Sequence, residues 1–145
     1  KQLLLTLLDH FDHVDSFITP ALEEGKVVIT DSYLDEIIAR YGVILEREPD
    51  EIMRFFDGNT FFPNITIFLY GNPTVFAMRN AKRRKINNMT EEIRRLQKIQ
   101  DNYIKLAKEG KHRYFILDAN GSIDSVCFNV ENTLRYYLYR YYHPE

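Results

Sequence analysis

"KVVITDSYLDEIIARYG", Lys26–Gly42, is the stretch on which the reading of the fold turns. Its first residues, "KVVIT", form a β-branched run with no polar alternation, the pattern of a strand covered on both faces in a parallel sheet. The run ends on Asp31 and passes directly into helical spacing over about 34–41. In an open α/β sheet, side chains just past the strand carboxyl ends face the ligand crevice. Asp31 is therefore placed to handle a ligand through a metal or a bound water. It is equally placed to cap the helix that follows.

Working outward, apolar Leu4, Leu7, Leu8, Phe11, Val14, Phe17 and Ile18 recur at helical spacing, and "TPALEEG" (19–25) closes that helix with a Pro, a short turn and a Gly stop. Two more buried-type runs follow, "NITIFLY" and "RYFILD". The expected parallel strands are thus about 26–31, 64–70 and 113–118. Helical patterns fall between and after them, at 49–56, 73–83, 90–109 and 123–142. Strands alternating with helices predict an α/β domain, a single one over 1–145, with no repeat or linker. Three strands make a thin sheet for this class, and the chain opens on Lys1 within helical spacing. Both features lead us to expect that N-terminal strands are missing.

The composition agrees with one folded domain: 145 residues, 45% hydrophobic and 28% charged. A net charge of −2 argues against a general nucleic-acid binder, whose phosphate contacts need a basic excess. One cysteine, Cys127, has no partner for an internal disulfide and reads as a small core hydrophobe in a reducing, cytoplasmic compartment. No apolar run is long enough to cross a membrane. His10 and His13, at i and i+3 in "DHFDH", could share a metal only if a third ligand were supplied; an exposed polar helix face is the plainer account. Val126, Val130, Leu134, Tyr137 and Tyr141 line one stripe of the last helix, suited to core or to a dimer surface.

Three stretches carry a resemblance. "HVDSFITPALEEGKVVITDSYLDEIIARYG" resembles the segment of thymidylate kinases in which a "PAL…G" turn leads through a strand into D-R-Y and D-S-x-x-A-Y-Q-G, with Asp31, Tyr33, Asp35, Ala39 and Gly42 at matching positions. "FPNITIFLYGNP" resembles "RPDLTIYLDVDP" of that family, and "YIKLAKEGKHRYFILDANGSIDSV" resembles its "YLELA…RIVVIDASQSIEEV". The resemblance implies a three-layer α/β/α P-loop kinase-like fold with strand order 2-3-1-4-5. It also implies transfer of the γ-phosphate of ATP, with Mg²⁺, to a nucleoside monophosphate, and a homodimer. The GxxxxGK[ST] loop that cradles phosphates is not among these 145 residues.

Site residues follow from the same resemblance. Asp31 is implied near the metal and phosphates; Thr6, His10, Ser32, Tyr33, Glu36, Arg40 and Tyr41 around the acceptor; and Ala119, Asn120 and Gly121 at the adenine end of the ATP site. The family's lid corresponds to 79–90, whose Arg79, Arg83 and Arg84 would neutralise developing charge; read alone, "RNAKRRKINN" is also a solvated helix end whose bases suit the macrodipole. Departures are concentrated in the acceptor pocket. Ser32 stands for the arginine that grips the acceptor phosphate, Thr6 and His10 for the base-stacking Phe and base-reading Arg, and Glu36, Arg40 and Tyr41 for Ser, Tyr and Gln. These changes argue that thymine is not read in the usual way. They leave two readings: a kinase for another monophosphate, with Arg40 replacing the lost charge, or a non-catalytic kinase-derived interaction module.

Overall fold

The computed structural model describes residues 1–56, 61–110 and 113–143. The chain forms two compact units, one of Lys1–Phe62 with Asp101–Leu106, the other of Pro63–Gln100 with Ala107–Glu145.

In the first unit, α1 (Gln2–His13) continues through a π-helical stretch (Val14–Ile18) into α2 (Thr19–Glu23). Pro20 sits in the first turn of α2, where its missing N–H costs nothing. Gly25 ends the run at φ +75°, a left-handed conformation that glycine adopts without penalty, and its N–H reaches the carbonyl of Leu22. Helix α3 (Leu34–Leu45) and α4 (Pro49–Met53), the latter opened by a capping box between Glu48 and Glu51 and closed by a 3₁₀ turn (Arg54–Phe56), complete the set. Leu34 and Ile38 are fully buried; Ile52, Phe56, Val14 and Leu7 are buried with them. Burying one such side chain is worth about 1.5–3 kcal/mol relative to exposure.

The expected strand at 26–31 does not form. Residues 26–30 run as extended coil with no ladder partner among the described residues, and Val27 and Ile29 are 74% and 84% exposed. A β-branched apolar run specifies a strand only when a neighbouring strand accepts its backbone hydrogen bonds. Asp31 does not cap α3 either: the N-cap is Tyr33, without a side-chain cap bond.

In the second unit, β1 (Thr66–Tyr70) and β2 (Tyr114–Asp118) pair in parallel, Thr66 opposite Tyr114 through Tyr70 opposite Asp118. This two-stranded sheet is the whole of the sheet structure among the described residues. After β1 come α5 (Pro73–Ala81) and α6 (Met89–Glu109), the helix whose residues 101–106 belong to the first unit; β2 leads into α7 (Ile123–Tyr142). The observed helices lie within a few residues of those read from periodicity. Cys127, on α7, is exposed, which corrects the expectation of a core position. Its neighbours on the predicted stripe, Val126 and Val130, are only half-buried, so that face of the helix does not enclose it.

In the first unit α3 lies against the 101–106 segment at Gly42. A Cβ built there would meet Asn102 Nδ2 at 2.9 Å and the Arg47 carbonyl oxygen at 3.1 Å, and Asn102 donates from Nδ2 to the Ala39 carbonyl at 3.0 Å. Substituting Gly42→Val should therefore force the two segments apart and cost about 1–3 kcal/mol by overpacking, read as a lower urea midpoint with an unchanged slope.

Candidate functional site

Helix α3 is the platform of the first site. Its buried positions, Leu34, Ile38, Ala39 and Gly42, lock it into the core, so the side chains of Glu36, Arg40 and Tyr41 are carried on a fixed scaffold. Tyr33 precedes the helix; its hydroxyl donates to the Phe61 carbonyl at 3.0 Å, and its ring lies 4.8 Å from that of His10 on α1. The turn before it is held by Ser32 at φ +69°, a backbone conformation uncommon for a residue with a Cβ. Ser32 Oγ donates to Glu36 Oε2 at 2.8 Å, which ties the turn to the first turn of α3.

These elements enclose a cleft of about 510 Å³. Thr6, His10, Asp31 and Ser32 line it, together with Tyr33, Glu36, Arg40 and Tyr41. All seven residues predicted around the acceptor, and Asp31, thus meet in one concavity. Its polar floor is largely prepaired. Glu36 forms an ion pair with Arg40 one turn on, and Thr6 Oγ1 lies 2.7 Å from the Tyr41 hydroxyl. Ile29, Thr30, Asp9, His13 and Ile37 also line the cleft. Reading 26–31 as a covered strand hid Ile29 and Thr30, because exposure of alternate residues along a coil leaves no periodic signal. Asp9 and His13 were visible as part of a polar helix face but without a reason to place that face beside α3. Among the described residues no group of three or more His, Cys, Asp or Glu side chains is arranged to hold a metal ion.

The imidazole of His10, in the cleft, is shifted from its ordinary value. Burial pushes the His10 imidazole below its ordinary value of 6.5; neighbouring His13 pushes the same way and Asp9 opposes. His10 packs its ring against Phe11 and Phe56 as well as Tyr33. Burial disfavours its charged form, so His10 does not supply the fixed charge of an arginine. Behind the cleft, burial raises the Tyr103 phenol well above its usual range, with the carboxylates of Glu36 and Asp35 adding to the shift.

The second group of predicted residues lies in the other unit, where the parallel ladder brings the ends of β1 and β2 together. Ala119 N–H donates to the Tyr70 carbonyl at 2.8 Å, extending the register by one residue. Asn120 then bridges the two strand ends: its Oδ1 accepts from Asn72 N–H at 2.7 Å, and its Nδ2 donates to Asp118 Oδ1 at 2.7 Å. Arg79, from α5, donates to the carbonyls of Ala119, Asn120 and Gly121 at 2.8, 3.2 and 3.0 Å. Its guanidinium is committed to this loop. The expectation of Arg79 as a lid cation met a residue inside a helix whose donors already serve backbone carbonyls. Ser122 caps α7, accepting from Ser125 N–H at 3.2 Å, as the sequence suggested. Arg83 is exposed, and Arg84 pairs with Glu92 at 2.6 Å.

The chain thus joins α and β elements in two units, with a cleft where extended coil turns into α3 and a braced loop past two parallel strand ends. The thymidylate kinase family description matches residues 1–129. The chain is 33% identical over 129 residues to a probable thymidylate kinase of Methanococcoides burtonii, covering 86% of this chain and 64% of that protein. It is 32% identical over 129 residues to a probable thymidylate kinase of Methanosarcina acetivorans, covering 86% and 62%. It is 30% identical over 119 residues to a thymidylate kinase of a Geobacillus species, covering 79% and 57%. The chain belongs to the thymidylate kinase family. It spans less than two thirds of the length of these relatives.

His10 makes a pH prediction. Its folded value is depressed, so the unfolded chain binds a proton that the folded chain resists, and stability should be full above about pH 6.5 and fall as the pH drops below it. Urea midpoints measured between pH 7.5 and 5.5 should show this loss, and His10→Gln should flatten the slope over that window.

Proposed function

We propose that the protein is a nucleoside monophosphate kinase that transfers the γ-phosphate of ATP to an acceptor monophosphate bound against α3. The observation that carries this reading is the convergence of Thr6, His10, Ser32, Tyr33, Glu36, Arg40 and Tyr41 with Asp31 around one cleft large enough for a nucleotide. Family membership supports it. Phosphoryl transfer asks little covalent chemistry of the protein and much positioning and charge neutralisation, and these residues divide such work between them.

In this reading Arg40 supplies the cationic edge for the acceptor, held by Glu36 until the ligand arrives, and Tyr33, His10 and Tyr41 present rings to its base and sugar. The Ser32 hydroxyl gives the acceptor phosphate one hydrogen bond in place of a bidentate fork, so affinity rests more on Arg40. Asp31 is the carboxylate nearest in role to Mg²⁺. An exposed carboxylate suits Mg²⁺, which keeps several waters and binds through one or two carboxylates and the substrate phosphates. Magnesium supplies charge neutralisation at the transferring group when bound with ATP. The loop at Ala119, Asn120 and Gly121 takes the adenine end of ATP. Ala119 is buried, so Asn120 and Gly121 provide its accessible surface, and Arg79 acts there by bracing the loop. Arg83 and Arg84 are the lid cations. The altered base pocket favours an acceptor other than thymidylate. The exposed tyrosines of α7, including Tyr139 and Tyr142, offer a surface for a homodimer, and residence in the cytoplasm belongs to the same reading.

Calorimetric titration of the full-length protein with ATP–Mg²⁺ and then with a panel of nucleoside monophosphates tests the reading. Binding of ATP and of one monophosphate, followed by turnover of that pair, is the expected result; binding of neither overturns it. Two variants sharpen the test. Arg40→Ala should raise the KM for the monophosphate about tenfold or more, the scale of one lost charge-assisted contact, with the KM for ATP unchanged. Arg79→Met should do the converse, raising the KM for ATP by a similar factor of about ten through a loosened 119–121 loop.

A further inference from the structure

α5 ends at Ala81 and α6 begins at Met89, and the two sides of the connection between them are joined by a single carboxylate. Glu92, in the first turns of α6, is 9% exposed. Its Oε1 accepts from Arg84 Nη2 at 2.6 Å, from Arg95 Nη2 at 2.9 Å and from Asn80 Nδ2 at 3.3 Å, while Oε2 accepts from Arg95 Nε at 3.0 Å. Asn80 belongs to the last turn of α5, Arg84 to the connection and Arg95 to the next turn of α6. One anion therefore gathers donors from all three segments. Hydrogen bonds from Arg95 above all, then from Asn80 and Arg84, hold the Glu92 carboxyl down to about 2, against the cost of burial, so it is charged throughout the physiological range.

The two arginines are not equivalent. Arg95 meets the carboxylate through two donors, at i+3 on the same helix, and its side chain is 34% exposed. Arg84 meets it through one nitrogen and remains 56% exposed, beside a hollow of about 260 Å³ whose lining also includes Lys85, Arg95 and a second carboxylate, Glu91. The remaining guanidinium donors of Arg84 are thus available while its position is held. Arg84, Lys85 and Arg95 set against Glu91 and Glu92 leave the lining of the hollow net positive, which suits a group that must receive phosphate oxygens without first being ordered.

We propose that Glu92 is a positioning residue for phosphoryl transfer: it pre-sets Arg84 on the folded connection so that the guanidinium meets the transferring phosphate with little reorganisation. The inference rests on the kinase reading above and adds to it a residue that touches neither substrate. Glu92 acts only through Arg84.

The test uses the full-length protein with ATP–Mg²⁺ and its preferred monophosphate, comparing Glu92→Gln, Arg84→Gln and the double variant. Glu92→Gln should lower kcat about 10- to 100-fold, the scale of a misplaced catalytic group, with the KM for the monophosphate within about threefold of the parent. The double variant should be no slower than Arg84→Gln alone, because the two substitutions remove one function. Tryptic cleavage in the 82–88 connection, measured without nucleotide, should be faster in Glu92→Gln. If Glu92→Gln does not fold, Glu92→Asp carries the same comparison, since it keeps the charge and shortens the reach. Faster cleavage with unchanged kcat, or kcat losses that multiply in the double variant, would overturn the positioning role while leaving the kinase reading intact. A parent protein that phosphorylates no monophosphate would overturn the kinase reading itself, and this proposal with it.

Discussion

The candidate acceptor cleft depends on how closely α3 can approach the 101–106 segment, and Gly42 sets that distance. With Asn102 Nδ2 already 2.9 Å from where a Cβ would stand, and hydrogen-bonded to the Ala39 carbonyl, the helix has one seat and no slack. Leu34 and Ile38 bury the face beside it completely. Fixing α3 fixes Glu36, Arg40 and Tyr41 together, because on a helix their mutual placement is a matter of pitch alone, and it anchors Tyr33 at the N-cap. A site carried this way is more rigid than one carried on loops, which is what a reaction governed by positioning requires.

The second unit uses polar bracing where the first uses packing. Its sheet has only two strands among the described residues, and the loop beyond them is exposed, so the 118–122 turn is held by side chains: Asn120 across the strand ends, Arg79 on three successive carbonyls, Ser122 on the start of α7. An arginine suits that duty because its planar fork carries several donors that backbone carbonyls can share. Glu92 plays the complementary part for the basic connection, an anion where Arg79 is a cation. In both cases a charged side chain that composition would assign to solvent is spent on local geometry.

Helical periodicity placed α3, α5, α6 and α7 to within a few residues, since an amphipathic stripe is written in local spacing. The two strands that formed, β1 and β2, were legible from their apolar runs. The run at 26–31 carried the same signal and stayed coil, because a strand needs a neighbour and sequence spacing does not say whether one is present. Motif positions brought Thr6, His10 and residues 31–41 onto one list. The bracing role of Arg79 stayed out of view for a related reason: a basic residue in a basic run looks like a free cation until its partners, forty residues away, are seen. Glu92 stayed out of view for a different reason: it is one acid among many on a long charged helix, and no motif joins it to Asn80, Arg84 and Arg95, which lie 12, 8 and 3 residues away.

By itself, then, the sequence determined the helices, two of the strands, the family and the roster of residues around the cleft. All of these depend on periodicity or on matched motifs, which are properties of neighbours along the chain. Tertiary structure alone decided which charges are spent on partners beyond their own helix: Arg79 on the 119–121 carbonyls, and Glu92 on Arg84 in the connection. It also decided that the charged form of His10 is disfavoured, because that follows from burial against Phe11, Tyr33 and Phe56. Pairing and desolvation act across space over a few ångströms, and most of the contacts that set them join residues from separate turns or separate elements of the fold.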